Sequence, residues 1–408
     1  MTDAATAALE PTTRVSRGWV VRFGLLWFGY WTAYLAPVQL VLPNQFDRLD
    51  PVHKIRDFGL VSGVTGLAAL FALPIFGALC DRTPSRFGRR RVWIAAGTVV
   101  FAAGLIATGA QSNWIGVGFA WLVATLGLDA ATAGATAAIA DEVPDEQRGV
   151  VSAAIYGPQA IGILVGVGAL TAIDDDGLLG YSVLAVVLLV TATPFVSRYR
   201  DRAGVPTPPL TIRSLVAGFW VHNADFGWAF GGRLLVNLGN ALGTTYLLYF
   251  LQDDLKLDDP DGGLLVLSSV YLVFTLVSTV WAGRASDRSG RRRRYVAIAA
   301  ALQAIASFLL TVFPAFGVAM VAAAFLGAGY GAYMSVDQAL ITAVLPDASS
   351  RAKDLGIMNV GSVGPQALAP LAASLVINEL GGYPVLFGTA GVITLLGAVL
   401  VYRIRSVP

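Results

Sequence analysis

Two stretches of this chain repeat one another. Gly77-Ala-Leu-Cys-Asp81-Arg82 runs through Thr-Pro-Ser-Arg86-Phe to Gly88-Arg89-Arg90-Arg91. Gly283-Arg-Ala-Ser-Asp287-Arg288 runs through one Ser to Gly290-Arg291-Arg292-Arg293-Arg294. Asp81 and Asp287 stand 206 positions apart. Each copy closes a long apolar run, and another run follows within a few residues. A basic loop held between two membrane-length helices, and present twice, constrains the chain to an internally duplicated helical membrane protein. Such duplications place a binding site between the repeats.

The apolar runs supply the helices. A bilayer core of about 30 Å needs about 20 apolar residues as helix. Twelve segments meet that length: 24–44, 58–79, 92–110, 114–138, 149–172, 178–197, 227–251, 263–283, 295–314, 316–345, 356–377 and 383–402. Overall, 56% of residues are apolar and 13% charged, with a mean hydropathy of +0.67. A soluble domain carries about 25% charged residues, so a soluble fold is excluded. A second repeat deepens the duplication. Gly149 opens a span reading Gly157-Pro158-Gln159-Ala160, and Gly356 opens one reading Gly364-Pro365-Gln366-Ala367. The expected fold is all-α and integral to the membrane. It has twelve transmembrane helices in two six-helix pseudo-symmetric halves, as parallel repeats about an axis along the membrane normal.

Charge sets the direction. With the N-terminus inside, 23 of the 28 Lys and Arg fall on the inner side. Only Arg48, Lys54, Arg56 and Lys256 fall outside, and Arg233 lies within a span. The outer loops are instead acidic, as at Asp174–Asp176 and Asp253–Asp261. This bias places both termini in the cytoplasm of a multi-pass protein of the cell membrane. Residues 1–19 read as a disordered cytoplasmic tail, with no cleavable signal peptide. Residues 20–197 form the first half and 227–408 the second. Residues 198–226, with Pro206, Pro208 and Pro209, read as a cytoplasmic linker. Within it, 212–226 is expected to lie as an amphipathic helix on the inner surface. The single Cys80 excludes an internal disulfide.

With these residues in place, the whole chain resembles the major facilitator superfamily. The signature is Gly77-x-x-x-Asp81-Arg82-x-x-x-Arg86-x-Gly88-Arg89-Arg90-Arg91. Its long form is similar to the glycoside–pentoside–hexuronide and sucrose-transporter-like groups, although Val92 stands where many of those have Pro. Leu345-Pro346-Asp347, Arg351-Ala-Lys353-Asp354-Leu-Gly356, Asn359 and Pro365-Gln366 resemble bacterial sugar-type members. The resemblance implies a cytoplasmic gate in which Asp81 latches the halves together. Its residues would be Gly77, Asp81, Arg82, Arg86, Gly88, Arg89 and Arg90, with Gly283, Asp287, Arg288, Gly290 and Arg291 in the second copy. A carboxylate is stabilised at a helix N-terminus, and the first turns of spans 5 and 11 lie at this level. The Arg clusters also orient the chain and meet anionic headgroups.

Three charges fall inside spans, where each costs about 2.5–3.5 kcal/mol at the centre. They are Asp129 in span 4, Arg233 in span 7 and Asp337 in span 10. The resemblance implies that spans 1, 4, 7 and 10 line the central cavity, and all three fall on that set. Asp129 and Asp337 are the candidates for proton coupling. For Asp129 the competing reading is a neutral acid bonded to Thr125 or Thr132. For Arg233 and Asp337 it is a structural ion pair, and Arg233 is shallow enough to snorkel. Trp31, Tyr34, Asn237, Asn240 and Tyr333 complete the candidate substrate cavity. Aromatic faces and amides suit a sugar, but they also serve helix packing and interhelical bonding.

The expected function is proton-coupled secondary transport of a small polar solute, a sugar or glycoside, by rocker-switch alternating access. Proton-coupled export of a drug or secondary metabolite is the alternative within transport. An integral-membrane lipid-linked transferase is the alternative of another class, and the loops offer it only Arg runs and scattered acids. No enzymatic activity and no cofactor are expected; there is no phosphate-binding loop, so ATP is not expected to drive the protein, and no Cys/His cluster suggests a metal. The partners expected are the solute, protons and membrane lipids, with no nucleic acid, acting on a monomer.

Overall fold

The computed structural model describes residues 14–173, 177–201, 224–344 and 351–405. Among these, every regular element is a helix. Lipid offers the backbone no hydrogen-bond partner, so each membrane-length segment must close its own N–H to C=O ladder. The helices are α1 (Arg17–Ala36), α2 (Lys54–Arg82), α3 (Arg89–Gly109), α4 (Trp114–Glu142), α5 (Asp145–Ile173) and α6 (Leu178–Arg198). Then come α7 (Ala224–Thr245), α8 (Pro260–Ser289), α9 (Arg292–Val312), α10 (Phe316–Val344), α11 (Arg351–Leu375) and α12 (Gly382–Tyr402). Ten helical runs are long and apolar enough to cross a membrane, and a bent pair from Ala224 to Asp254 makes an eleventh. The longest run, Val360–Tyr402, has 43 residues. As one straight helix it would span about 65 Å, twice a bilayer core. It breaks at Gly381 and Gly382, whose φ of 125° and 77° no helix accepts. That break separates α11 from α12 and brings the membrane-length helices among the described residues to twelve.

Several boundaries shift from the sequence reading. The first helix begins at Arg17, inside the stretch read as a tail, because the Ser16 side chain caps it by accepting from the Trp19 N–H. Helix α4 runs on to Glu142 and α8 to Ser289, each past the apolar run that predicted it. Residues 202–223, which hold most of the expected linker and surface helix, lie outside the described residues. Three π-helical turns also escape a reading by apolar length: Pro37–Val41, Phe250–Asp254 and Val376–Gly381.

The chain divides into two compact units. The first comprises Met1–Val52 and Ala68–Pro209, the second His53–Leu67 and Leu210–Pro408. In the first unit α3 packs on α4, α1 on α5, and both α1 and α3 on α6. In the second, α9 packs on α10, α7 on α11, and both α7 and α9 on α12. Adding six to each number of the first set yields the second, so the duplication read in the loops extends to the packing. Small residues permit the close approaches. A Cβ on Gly97 would lie 2.5 Å from the Ala131 nitrogen, and one on Gly104 2.6 Å from the Ala124 Cα. In the second unit, α8 and α10 meet at Gly327 and Gly331 against the carbonyls of Tyr271 and Thr275.

Candidate functional site

The first candidate region is the Arg-rich loop between α2 and α3. Asp81 ends α2 and pairs with Arg90 Nη1 at 2.5 Å. Arg90 is buried, and its Nε reaches Asp141 Oδ2 at 2.9 Å. Arg89 Nη2 shares that same oxygen at 3.2 Å. Two arginines therefore meet two carboxylates at the ends of α2 and α4. From beyond α6, Asp201 Oδ2 accepts the Arg90 backbone N–H at 2.6 Å. This satisfies a free donor of the first turn of α3, where the helix dipole also favours an anion. Gly88 makes the approach possible: its φ is 97°, and a Cβ there would lie 2.7 Å from the Asp201 carboxyl. Burial, with Glu142, Asp201 and Asp141 close by, pushes the Tyr199 phenol above its ordinary range, so it stays neutral. Arg82 and Arg86 are exposed, Arg86 lies over the Phe87 ring, and a Cβ on Gly77 would meet open space.

The second copy of the loop differs. Gly290 takes a left-handed φ of 66° and closes α8 through its N–H to the Ser286 carbonyl. Arg288 and Arg291 are exposed, and Gly283 rests near Ser335. The side chain of Asp287 lies outside the described residues.

The second region is Asp129 in α4. Its Oδ2 is buried and has no hydrogen-bond partner among the described residues. Neither threonine suggested by the sequence reaches it. Thr132 donates to the Asp129 backbone carbonyl, and Thr125 to that of Leu122. Tyr34 of α1 lies within electrostatic range of Asp129 and stacks on Trp121 with centroids 6.0 Å apart. Trp31 is committed elsewhere, since its Nε1 donates to the Ile155 carbonyl of α5 at 2.9 Å.

The third region is in the second unit. Arg233 of α7 and Asp337 of α10 are 5% and 4% exposed, and Nη1 meets Oδ2 at 3.0 Å. Arg233 Nε donates to Ser362 Oγ of α11 at 2.5 Å. Asn237 donates to the Arg233 carbonyl and to the Tyr333 hydroxyl, 2.8 and 3.2 Å away. Arg233 thus does not snorkel: it is anchored from two helices, and the pair removes the need for water. Asn240 turns away from this group and donates to Gln303 of α9 at 3.3 Å.

Sequence reasoning missed five participants. Asp141 lies just beyond the apolar run that predicted α4, and Asp201 was read only as linker. Ser362 carries no local signal. Lys54 and Asp253 were read as outer-loop charges, yet Lys54 is 8% exposed and lies 2.6 Å from Asp253. Asp253 also accepts from the Tyr383 hydroxyl, and Lys54 lies over the Tyr249 ring.

The sequence profile of the Major Facilitator Superfamily matches residues 25–258 and 229–408. The chain belongs to the Major Facilitator Superfamily. It is therefore a multi-pass membrane transporter, and α1, α4, α7 and α10 are the helices on which the superfamily resemblance placed the cavity. Among solved structures, the fold is similar to that of the nucleoside transporter NupG, with a TM-score of 0.75 at 11% identity over 95% of this chain and 98% of that one. A POT family transporter in complex with 5-aminolevulinic acid gives 0.74 at 12% identity over 97% of each chain. The inward-open xylose transporter XylE from E. coli gives 0.68 at 16% identity over 95% of each. A sequence comparison with curated proteins gives no match. At these identities the superfamily structures share the fold, and the chemistry of the site rests on this chain's own residues.

Proposed function

We propose that this transporter moves a small polar solute, a sugar or glycoside, together with protons, by alternating access in the cell membrane with both termini in the cytoplasm. One observation carries the coupling: the buried Asp129 Oδ2, which has no partner among the described residues. An acid held in an apolar span is a functional group by default, because its charge there is expensive. Asp337 is tied to Arg233 and is the weaker candidate. A carboxyl with an open lone pair can take a proton from one side and release it to the other. Tyr34, Tyr333 and Asn237 supply ring faces and polar groups of the kind a sugar binds. The structural neighbours named for a nucleoside and for xylose handle polar, ring-containing solutes, which supports this class. In this reading Asp81, Arg89, Arg90 and Asp141 form the cytoplasmic gate.

Substrate is first found by thermal shift of the purified protein against sugars, glycosides and nucleosides, since a bound ligand stabilises the fold by mass action. Asp129→Asn is then assayed in proteoliposomes. It keeps binding and gradient-free exchange, and it loses accumulation driven by a proton gradient. One charge moved across 100 mV is worth about 2.3 kcal/mol, or about fiftyfold accumulation. Full accumulation by the variant places the proton elsewhere, and lost binding makes Asp129 a substrate contact.

A further inference from the structure

The outer face of the first unit carries a groove that the transport reading does not use. It has a volume of about 370 Å³ and lies between the first two turns of α3 and the last turns of α6. Its walls are Phe87, Val92, Ala95, Ala96 and Val196, and among the described residues its one charged lining residue is Arg91. Phe87 is 61% exposed, so the groove opens to the surroundings of the protein and not to its core. Away from the Arg-rich end, the same two helices continue with exposed Val99 and Val100 on α3 and Val186 and Val190 on α6. A face of that composition meets acyl chains.

Arg91 is fixed in place. Its Nε donates to the Val196 carbonyl at 2.8 Å, and its Nη2 to the Ser197 carbonyl at 3.3 Å. These bonds cap the C-terminus of α6 and use two of the five guanidinium N–H donors. Among the described residues the other three have no protein partner, and Arg91 lines the groove. Arg86, Arg198 and Arg200 are exposed close by in sequence. The result is a preformed cation above an apolar slot, at the level where the chain meets headgroups.

We infer that this groove binds one anionic phospholipid of the surrounding membrane, with its phosphate on Arg91 and an acyl chain along Val92, Ala95, Ala96 and Val196. A small free anion would leave those walls uncovered. A zwitterionic lipid would bring its own cation toward a cluster that is already basic. A guanidinium meets a phosphate through paired N–H donors, so the headgroup is held by geometry as well as charge.

The test uses the purified full chain, delipidated in detergent. Native mass spectrometry and thermal unfolding are recorded with phosphatidylglycerol, with phosphatidylcholine of the same acyl chains, and with inorganic phosphate. The inference predicts a retained phosphatidylglycerol and a stabilisation that phosphatidylcholine and phosphate do not match. Arg91→Gln lowers that occupancy about fivefold, the effect of one basic side chain at an anionic surface. Ala96→Trp, at an exposed position, fills the slot while keeping every Arg, and lowers occupancy as much. Equal retention of both lipids would overturn the inference. So would phosphate stabilising as well as the lipid, or Ala96→Trp binding phosphatidylglycerol like the parent. Because Arg91 also caps α6, a loss in Arg91→Gln alone, without one in Ala96→Trp, counts against the site.

Discussion

At the scale of single residues, the three membrane charges divide into a pair and one that stands apart. Arg233 and Asp337 hold each other across 3.0 Å of buried space, with Ser362 and Tyr333 around them. Removing one partner of such a pair strands the other charge in a medium that cannot solvate it. Arg233→Met is therefore expected to destabilise the protein by about 3–5 kcal/mol. Arg233→Met combined with Asp337→Leu should recover most of that loss, because two apolar groups leave nothing stranded. Unfolding of the two single variants and the double variant in detergent gives the coupling directly. A single variant that melts like the parent would show that water reaches the site. Asp129 differs because it has no counter-charge among the described residues, and that contrast is invisible in sequence. Both acids stand in apolar runs, and only the partner's position separates them.

At the scale of elements, the start of α3 is the best-defined joint in the first unit. Gly88 is left-handed, Asp201 caps the Arg90 N–H, and Arg90 ties α2 to α4. Asp201→Ala is expected to cost about 1 kcal/mol, the usual value of a helix N-cap. Gly88→Ala is expected to cost about 1–3 kcal/mol, from its φ and from the Asp201 carboxyl that a Cβ would meet. The two should be less than additive, because Asp201→Ala removes the atoms in the way while the φ penalty remains. Thermal melts of the three variants decide this, and strict additivity would count against the contact. Of this joint, Gly88 and the arginines were readable as a motif. Asp141 and Asp201 were not, since they arrive from positions 51 and 111 residues away from Arg90.

At the scale of the molecule, four helix pairings recur in both units, and an Arg-rich loop joins α2 to α3 and α8 to α9. The orientation proposed for the membrane is testable without knowing the substrate. In a Cys80→Ser background, Ser85→Cys reports on the Arg-rich loop and Asp258→Cys on the acidic one. A membrane-impermeant maleimide added to intact cells should label Asp258→Cys, and it should label Ser85→Cys only after the membrane is opened. The reverse pattern would place the arginines outside and end the positive-inside reading.

What sequence alone determined is the class of architecture. Apolar length sets helix number, because a bilayer of constant thickness demands about 20 residues per crossing. Loop charge sets the expected direction, and the two Asp-Arg and Gly-Pro-Gln-Ala motifs reveal the duplication. These are local properties, legible wherever they occur along the chain. Tertiary structure alone decided which polar groups are satisfied. It paired Arg233 with Asp337, buried Lys54 against Asp253, turned Asn240 toward Gln303, and left one oxygen of Asp129 without a partner among the described residues. A hydrogen bond depends on distances of a few tenths of an ångström between helices far apart in sequence. Spacing along one chain carries no such information.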